Sequence, residues 1–144
     1  FGHGLTFTTF DYGKLNVCSP SKGTDVCLQL HVRNAGQFSA RAVVQLYVEF
    51  PGEAGHLTPL LKGFHKTALI EPTAKVTVTL ELTTQDLSYY DVSVDGWRRI
   101  SSFTAHVGES SRDIRTTLNL HHEAQSSQWL VNDRPQRVFI ETTS

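Results

Sequence analysis

Apolar and polar residues alternate with a period of two along several short stretches of this chain, and few patterns restrict a fold more tightly. Over 26–33, Val26, Leu28, Leu30 and Val32 share one face, while Cys27, Gln29, His31 and Arg33 share the other. Over 42–50, Val44, Leu46 and Val48 oppose Gln45, Tyr47 and Glu49. The cleanest run is 75–83, where Val76, Val78, Leu80 and Leu82 alternate with Thr77, Thr79, Glu81 and Thr83. Phe103, Ala105 and Val107 oppose Thr104 and His106; Ile114, Thr116, Leu118 and Leu120 oppose Arg115, Thr117 and Asn119. Strict alternation predicts strands with one buried and one wet face. No long window shows the three- and four-residue spacing of an amphipathic helix.

Turn residues separate these runs. Asn34-Ala35-Gly36 and Pro51-Gly52 end two of them, Glu71-Pro72-Thr73 precedes the cleanest, and Asp95-Gly96 divides 89–94 from 97–100 as a hairpin signal. About seven or eight short strands with such punctuation predict an all-β fold, an immunoglobulin-like or fibronectin type III-like β-sandwich. At 144 residues, the chain has the length of one domain, enough to bury roughly 68% of its unfolded surface.

Composition narrows the function. Thirteen Lys and Arg against fourteen Asp and Glu give a net charge of −1. No basic block concentrates charge locally, so no nucleic-acid partner is expected. No apolar stretch approaches the length of a membrane span, and no membrane partner is expected. The sequence starts at Phe1 and contains 0 Met, which suggests a processed product or a fragment.

Side chains that could carry chemistry are scattered. The 7 His include His31 and His106 on polar strand faces and the adjacent pair His121-His122, whose side chains would point to opposite faces. His3, His56 and His65 lack partners at ligand spacing, so neither a metal nor another cofactor is expected. Asp86, Asp91 and Asp95 sit in turn-rich sequence, where Asp caps and turns; there is no nucleophile elbow and no phosphate-cradling Gly loop. The chain by itself is expected to be non-catalytic. Cys18 and Cys27 flank a segment with turn chemistry, as a disulfide in an oxidising compartment or as two free thiols elsewhere. Tyr47 on a polar strand face, with Tyr89, Tyr90, Trp97 and Trp129 in less regular sequence and Arg98-Arg99 beside them, could contact a polysaccharide, lignin or a protein partner. The competing reading buries these rings in the core.

Residues 121–144 differ in character. A polar stretch leads into two apolar patches, Trp129-Leu130-Val131 and Val138-Phe139-Ile140, around 132–137. The expected organisation is a sandwich over 1–120 and an extension over 121–144, partly packed back, its second patch either pairing as an edge strand or meeting another domain.

The words of the sequence carry a further signal. The opening segment, Phe1-Gly2-His3-Gly4-Leu5-Thr6-Phe7-Thr8-Thr9-Phe10, resembles the Phe-Gly-x-Gly-Leu-Ser-Tyr-Thr-x-Phe segment that opens the C-terminal fibronectin type III-like domain of glycoside hydrolase family 3 enzymes. The match continues in Val32-Arg33-Asn34-Ala35-Gly36, in 43–48, in Pro59-Leu60-Leu61-Lys62-Gly63-Phe64-His65-Lys66, in 86–91 and in 107–115. These ordered motifs cover residues 1 to about 120. The resemblance implies an accessory module of a secreted, extracellular β-glucosidase, less readily a β-xylosidase, with residues 1–5 at an inter-domain junction. Its catalytic acid and nucleophile would lie on other domains, which would also be its partners. Glu71-Pro72-Thr73-Ala74 departs from the family's Pro-Gly-Glu turn, and Phe103 stands where Tyr is common; Cys18, Cys27 and the segment after His121 fall outside the shared pattern.

Overall fold

The computed structural model describes residues 8–56, 58–123 and 128–131. The expected junction at 1–5 and the Val138–Ile140 patch lie outside the described residues.

Eleven strands are described: β1 (Phe10–Tyr12), β2 (Asn16–Cys18), β3 (Val26–Asn34), β4 (Val43–Glu49), β5 (Leu60–Lys66), β6 (Lys75–Leu82), β7 (Ser88–Asp91), β8 (Gly96–Arg99), β9 (Ser102–Ser110), β10 (Asp113–Glu123) and β11 (Gln128–Val131). Every pairing is antiparallel. The chain is all-β, as the alternation predicts. One sheet is built on β3, which pairs with β6 along one side and with β1 and then β2 along the other. The second runs β11-β10-β9-β4-β5, and β7 and β8 form a separate hairpin.

The alternating residues put one face of each sheet into a shared core. Val26, Leu28, Leu30 and Val32 of β3 and Val78, Leu80 and Leu82 of β6 join Val44, Leu46 and Val48 of β4, Phe103, Ala105 and Val107 of β9, and Leu118 and Leu120 of β10. Burying a side chain of this size contributes about 1.5–3 kcal/mol. Phe10, Leu15, Phe50, Ile70, Leu87 and Ile100 extend the same cluster.

Four elements differ from the sequence reading, each for a local reason. β10 continues through Glu123 and pairs with β11, so the second sheet runs past the expected boundary at 120. The patch seen to pack back is Trp129-Leu130-Val131, within β11. Ile114 leaves the buried face because register shifts on both sides of it interrupt the β9–β10 ladder; it is exposed. Asp95-Gly96 is not a two-residue hairpin loop. Asp91 pairs with Gly96, and residues 92–95 form the loop, in which Asp95 takes the left-handed conformation at φ 50°.

An inter-sheet clasp adds polar contacts between the layers. Arg115 of β10 donates through Nη1 to the Phe10 carbonyl at 2.8 Å. Its guanidinium lies 5.2 Å from the centre of the Tyr12 ring and pairs with Asp113 at 2.7 Å and Glu109 at 3.5 Å. Hydrogen bonding to Asp113 raises the Arg115 pKa further.

Candidate functional site

The fold distributes the aromatic candidates over three places. Tyr89, Tyr90, Trp97, Arg98 and Arg99 all fall on the β7–β8 hairpin. Its ladder pairs Ser88 with Arg99, Tyr89 with Arg98 and Tyr90 with Trp97. Tyr89 is half-buried against the core and anchors the hairpin. On the opposite face, the Tyr90 and Trp97 rings meet edge to face with centroids 5.7 Å apart. Trp97 is 67% exposed, and Val92 in the loop is 83% exposed.

Charged groups hold this hairpin in shape. Arg98 Nε lies 2.6 Å from Asp91 Oδ2. Asp91 also accepts from the Ser93 hydroxyl at 2.7 Å and the Ser93 amide at 3.0 Å, and these bonds, with Arg98, hold its carboxyl below the usual Asp range. The Tyr90 hydroxyl donates to Asp95, which raises its pKa. Arg99 is a strut rather than a free cation: it reaches Asp25 at 3.3 Å and the His122 ring at 3.0 Å. The hairpin is thereby tied to β10 and to the start of β3.

Trp129 follows the competing reading, burial in the core. It is only 7% exposed and lies edge-on to both Phe103 and His122 at 5.2 Å. Its Nε1 donates to Asp25 Oδ2 at 3.2 Å. Phe103, lacking a hydroxyl, supplies the apolar neighbour this indole packs against. The ring therefore belongs to the packing of β11 and offers no platform to a polymer.

Tyr47 occupies the third place, the outer face of the five-stranded sheet. Its hydroxyl donates to Gln45. Beside it, His106 Nε2 lies 2.7 Å from Glu49 Oε1, and His106 Nδ1 lies 3.3 Å from the Thr117 hydroxyl. With the proton on Nε2, the imidazole donates to Glu49 and accepts from Thr117. Tyr47, Glu49, Thr58, Pro59, His106, Ser111 and Ile114 line an open concavity of about 680 Å³. Sequence reasoning found Tyr47 but not this hollow. The register shift that turns Ile114 outward is invisible in the residue pattern.

Cys18 and Cys27 are cross-strand partners of β2 and β3 and are bonded to each other. The bond covers the outer side of β3, which is why Cys27 is buried although its alternation assigns it to the wet face. Among the described residues no group of three or more His, Cys, Asp or Glu is arranged to hold a metal ion.

Comparison with known proteins gives a consistent result. A family described as "Fibronectin type III-like domain" matches residues 42–111, which contain β4 through β9. The protein named Probable beta-glucosidase F of Emericella nidulans is 45% identical over 94 residues, 62% of this chain and 11% of that protein. Probable beta-glucosidase L of the same organism is 35% identical over 136 residues, 81% of this chain and 18% of that protein. The crystal structure of a beta-D-glucoside glucohydrolase from Trichoderma reesei superposes with a TM-score of 0.73 at 34% identity, over 84% of this chain and 20% of that one. The chain thus spans 11% and 18% of the length of these two curated relatives.

Proposed function

The chain is a fibronectin type III-like domain of the kind carried by family 3 β-glucosidases, and from that premise we propose that it is a non-catalytic accessory module of such an enzyme. It docks on the catalytic portion of the same polypeptide and stabilises it. The observation that carries this reading is the apolar surface left open on so small a chain. Phe64 is 68% and Leu61 53% exposed on β5, and Trp97 and Val92 are exposed on the separate β7–β8 hairpin. Large apolar side chains exposed together on one element mark a contact surface more often than free solvent exposure. A disulfide-tied sandwich also suits an extracellular parent, because such bonds persist in oxidising compartments.

Removing this domain from the full-length enzyme is expected to lower the thermal midpoint of the catalytic portion. An unchanged midpoint would reject the stabilising role.

One observation favours a second reading, anchoring to polysaccharide or lignin. Trp97 and Tyr90 expose their rings to solvent on one face of the hairpin, an arrangement suited to sugar rings and phenolic polymers. Pull-down on cellulose, xylan and lignin tests it. Retention that falls on Trp97→Ala supports anchoring, and failure to be retained on any of the three rejects it.

A further inference from the structure

Two exposed apolar patches compete as the docking surface, and they differ in construction. The β7–β8 patch sits on a two-stranded hairpin whose rings already contact each other, with Asp95 bonded to Tyr90 and the Arg98–Asp91 ion pair on the opposite face. That mixture of charge and exposed ring resembles an interface rim.

The outer face of the second sheet is built otherwise. Residues directly opposite each other in an antiparallel ladder project to the same side, so the register defines rows across four strands. Phe64 of β5 pairs with Gln45 of β4, Gln45 with Gly108 of β9, and Gly108 with Ile114 of β10. The next row is Leu61, Tyr47, His106 and Thr117. Val43 lies on the same face, two residues before Gln45, and is also exposed; its ladder partner Lys66 places a charge at this end of the face. The first row carries no charged side chain, and in the second His106 is met by Glu49 at 2.7 Å. A core depleted in charge and rich in large apolar groups is what a buried interface needs.

Two further features of this face call for a cover. β5 ends the sheet, and among the described residues nothing pairs with its far side; an open edge carrying apolar side chains is ordinarily covered or blunted. The hollow between Tyr47, Pro59 and Ile114 could seat a protruding partner side chain, the arrangement in which interface anchors concentrate.

The geometry points to the outer face of the β5-β4-β9-β10 sheet, centred on Phe64, Leu61 and Tyr47, as the surface that meets the catalytic portion of the same polypeptide. The occupant is argued from length: the chain spans 11% and 18% of two curated relatives and 20% of a solved one, so most of a parent of that size lies outside it. The inference rests on the accessory-domain reading above and adds to it which face docks.

Hydroxyl-radical footprinting of the full-length parent and of the 144-residue chain tests it. Phe64 and Leu61 are expected to label about tenfold more slowly in the parent, with Trp97 and Tyr90 changed less than about twofold, since an interface core excludes water and the remaining surface does not. Protection of Trp97 and Tyr90 instead would overturn the choice of face and leave docking intact. No protection anywhere would overturn docking itself. Phe64 already protected in the shorter chain would also overturn the proposal. Release of that protection on dilution of a dimer would assign the face to a second copy, and release on removal of 132–144 would assign it to the chain's own end. A second measurement is independent of labelling. Phe64→Ser with Leu61→Ser should lower the thermal midpoint of the full-length parent toward that of the parent lacking this domain, while leaving the shorter chain's own midpoint nearly unchanged. Equal losses in both proteins would mean that the two side chains serve the fold alone.

Discussion

Asn34 Nδ2 donates to the Ile70 carbonyl at 2.8 Å, joining the end of β3 to the segment that leads into β6. The same amide donates to the Phe38 carbonyl at 2.8 Å. Its oxygen accepts from the Thr8 hydroxyl at 2.6 Å and the Gly36 amide at 2.9 Å. This fully buried side chain thus satisfies four partners from three segments of the chain. Gly36 is required there because a Cβ would fall 1.8 Å from Thr8 Oγ1.

Replacing this amide leaves the Phe38 carbonyl, the Gly36 amide and the Thr8 hydroxyl without it, while the Ile70 carbonyl keeps the Ala40 amide at 3.1 Å. Asn34→Ala is expected to cost about 3 kcal/mol, since each of the three groups left unpaired costs about 1 kcal/mol or more. Urea unfolding measures it. A loss below about 1 kcal/mol would mean that water replaces the side chain.

Thr73 sits at φ 69° in the turn from Glu71 to Ala74, closed by the Ala74 amide on the Glu71 carbonyl at 3.0 Å. Pro72 and then a left-handed residue is the pattern that a type II turn assigns to Pro and Gly. A β-branched residue is strained there. Thr73→Gly should therefore stabilise the domain by about 1 kcal/mol, read as a higher midpoint in thermal unfolding. A lower midpoint would show that the flexibility gained by the unfolded chain outweighs the strain removed.

Cys18 and Cys27 are nine positions apart, and closing so short a loop stabilises by about 2.5–3 kcal/mol. Replacing both with Ser should lower unfolding stability by that amount. Reductant should shift the parent form to the same level and leave the double variant unaffected.

Tyr12 gives a pH dependence with a defined sign. Burial, and then the Glu109 carboxylate, push its pKa above the ordinary 10.0, and Arg115 offsets part of this. Below pH 10 the hydroxyl is protonated in folded and unfolded chains alike and contributes no slope. Above it, the unfolded chain releases the proton while the folded one retains it, so stability falls by at most about 1.4 kcal/mol per pH unit. Tyr12→Phe should flatten the decline between about pH 10 and 11. Identical slopes for the two proteins would contradict the assignment.

Much of the fold was legible because β3, β4, β6 and β9 each bury one face, and a half-buried strand writes its geometry into alternation. β1 and β2 are three residues long, too short to display a period. β5 was obscure for another reason: the register shift between Leu46 and Tyr47 takes in Lys62 as an extra residue, and as a sheet edge it is not sorted into wet and dry faces. The same kind of shift moved Ile114 outward. Of the surface candidates, the sequence identified the residues of the β7–β8 hairpin but could not separate Trp97, which is open, from Trp129, which is buried. Both are aromatic residues beside polar sequence; only the pairing of β11 with β10 distinguishes them. Phe64 and Leu61 entered the reading as letters of a family motif, and their exposure became evident once the ladder placed them opposite Gln45 and Tyr47.

Calorimetry of the full-length parent tests the central claim, that this domain is physically coupled to the catalytic portion. Coupled units unfold together, so a single cooperative transition is expected, with a midpoint above that of the catalytic portion alone and a calorimetric enthalpy matching the van't Hoff value. Two separate transitions, each at the midpoint of the corresponding isolated part, would contradict the account.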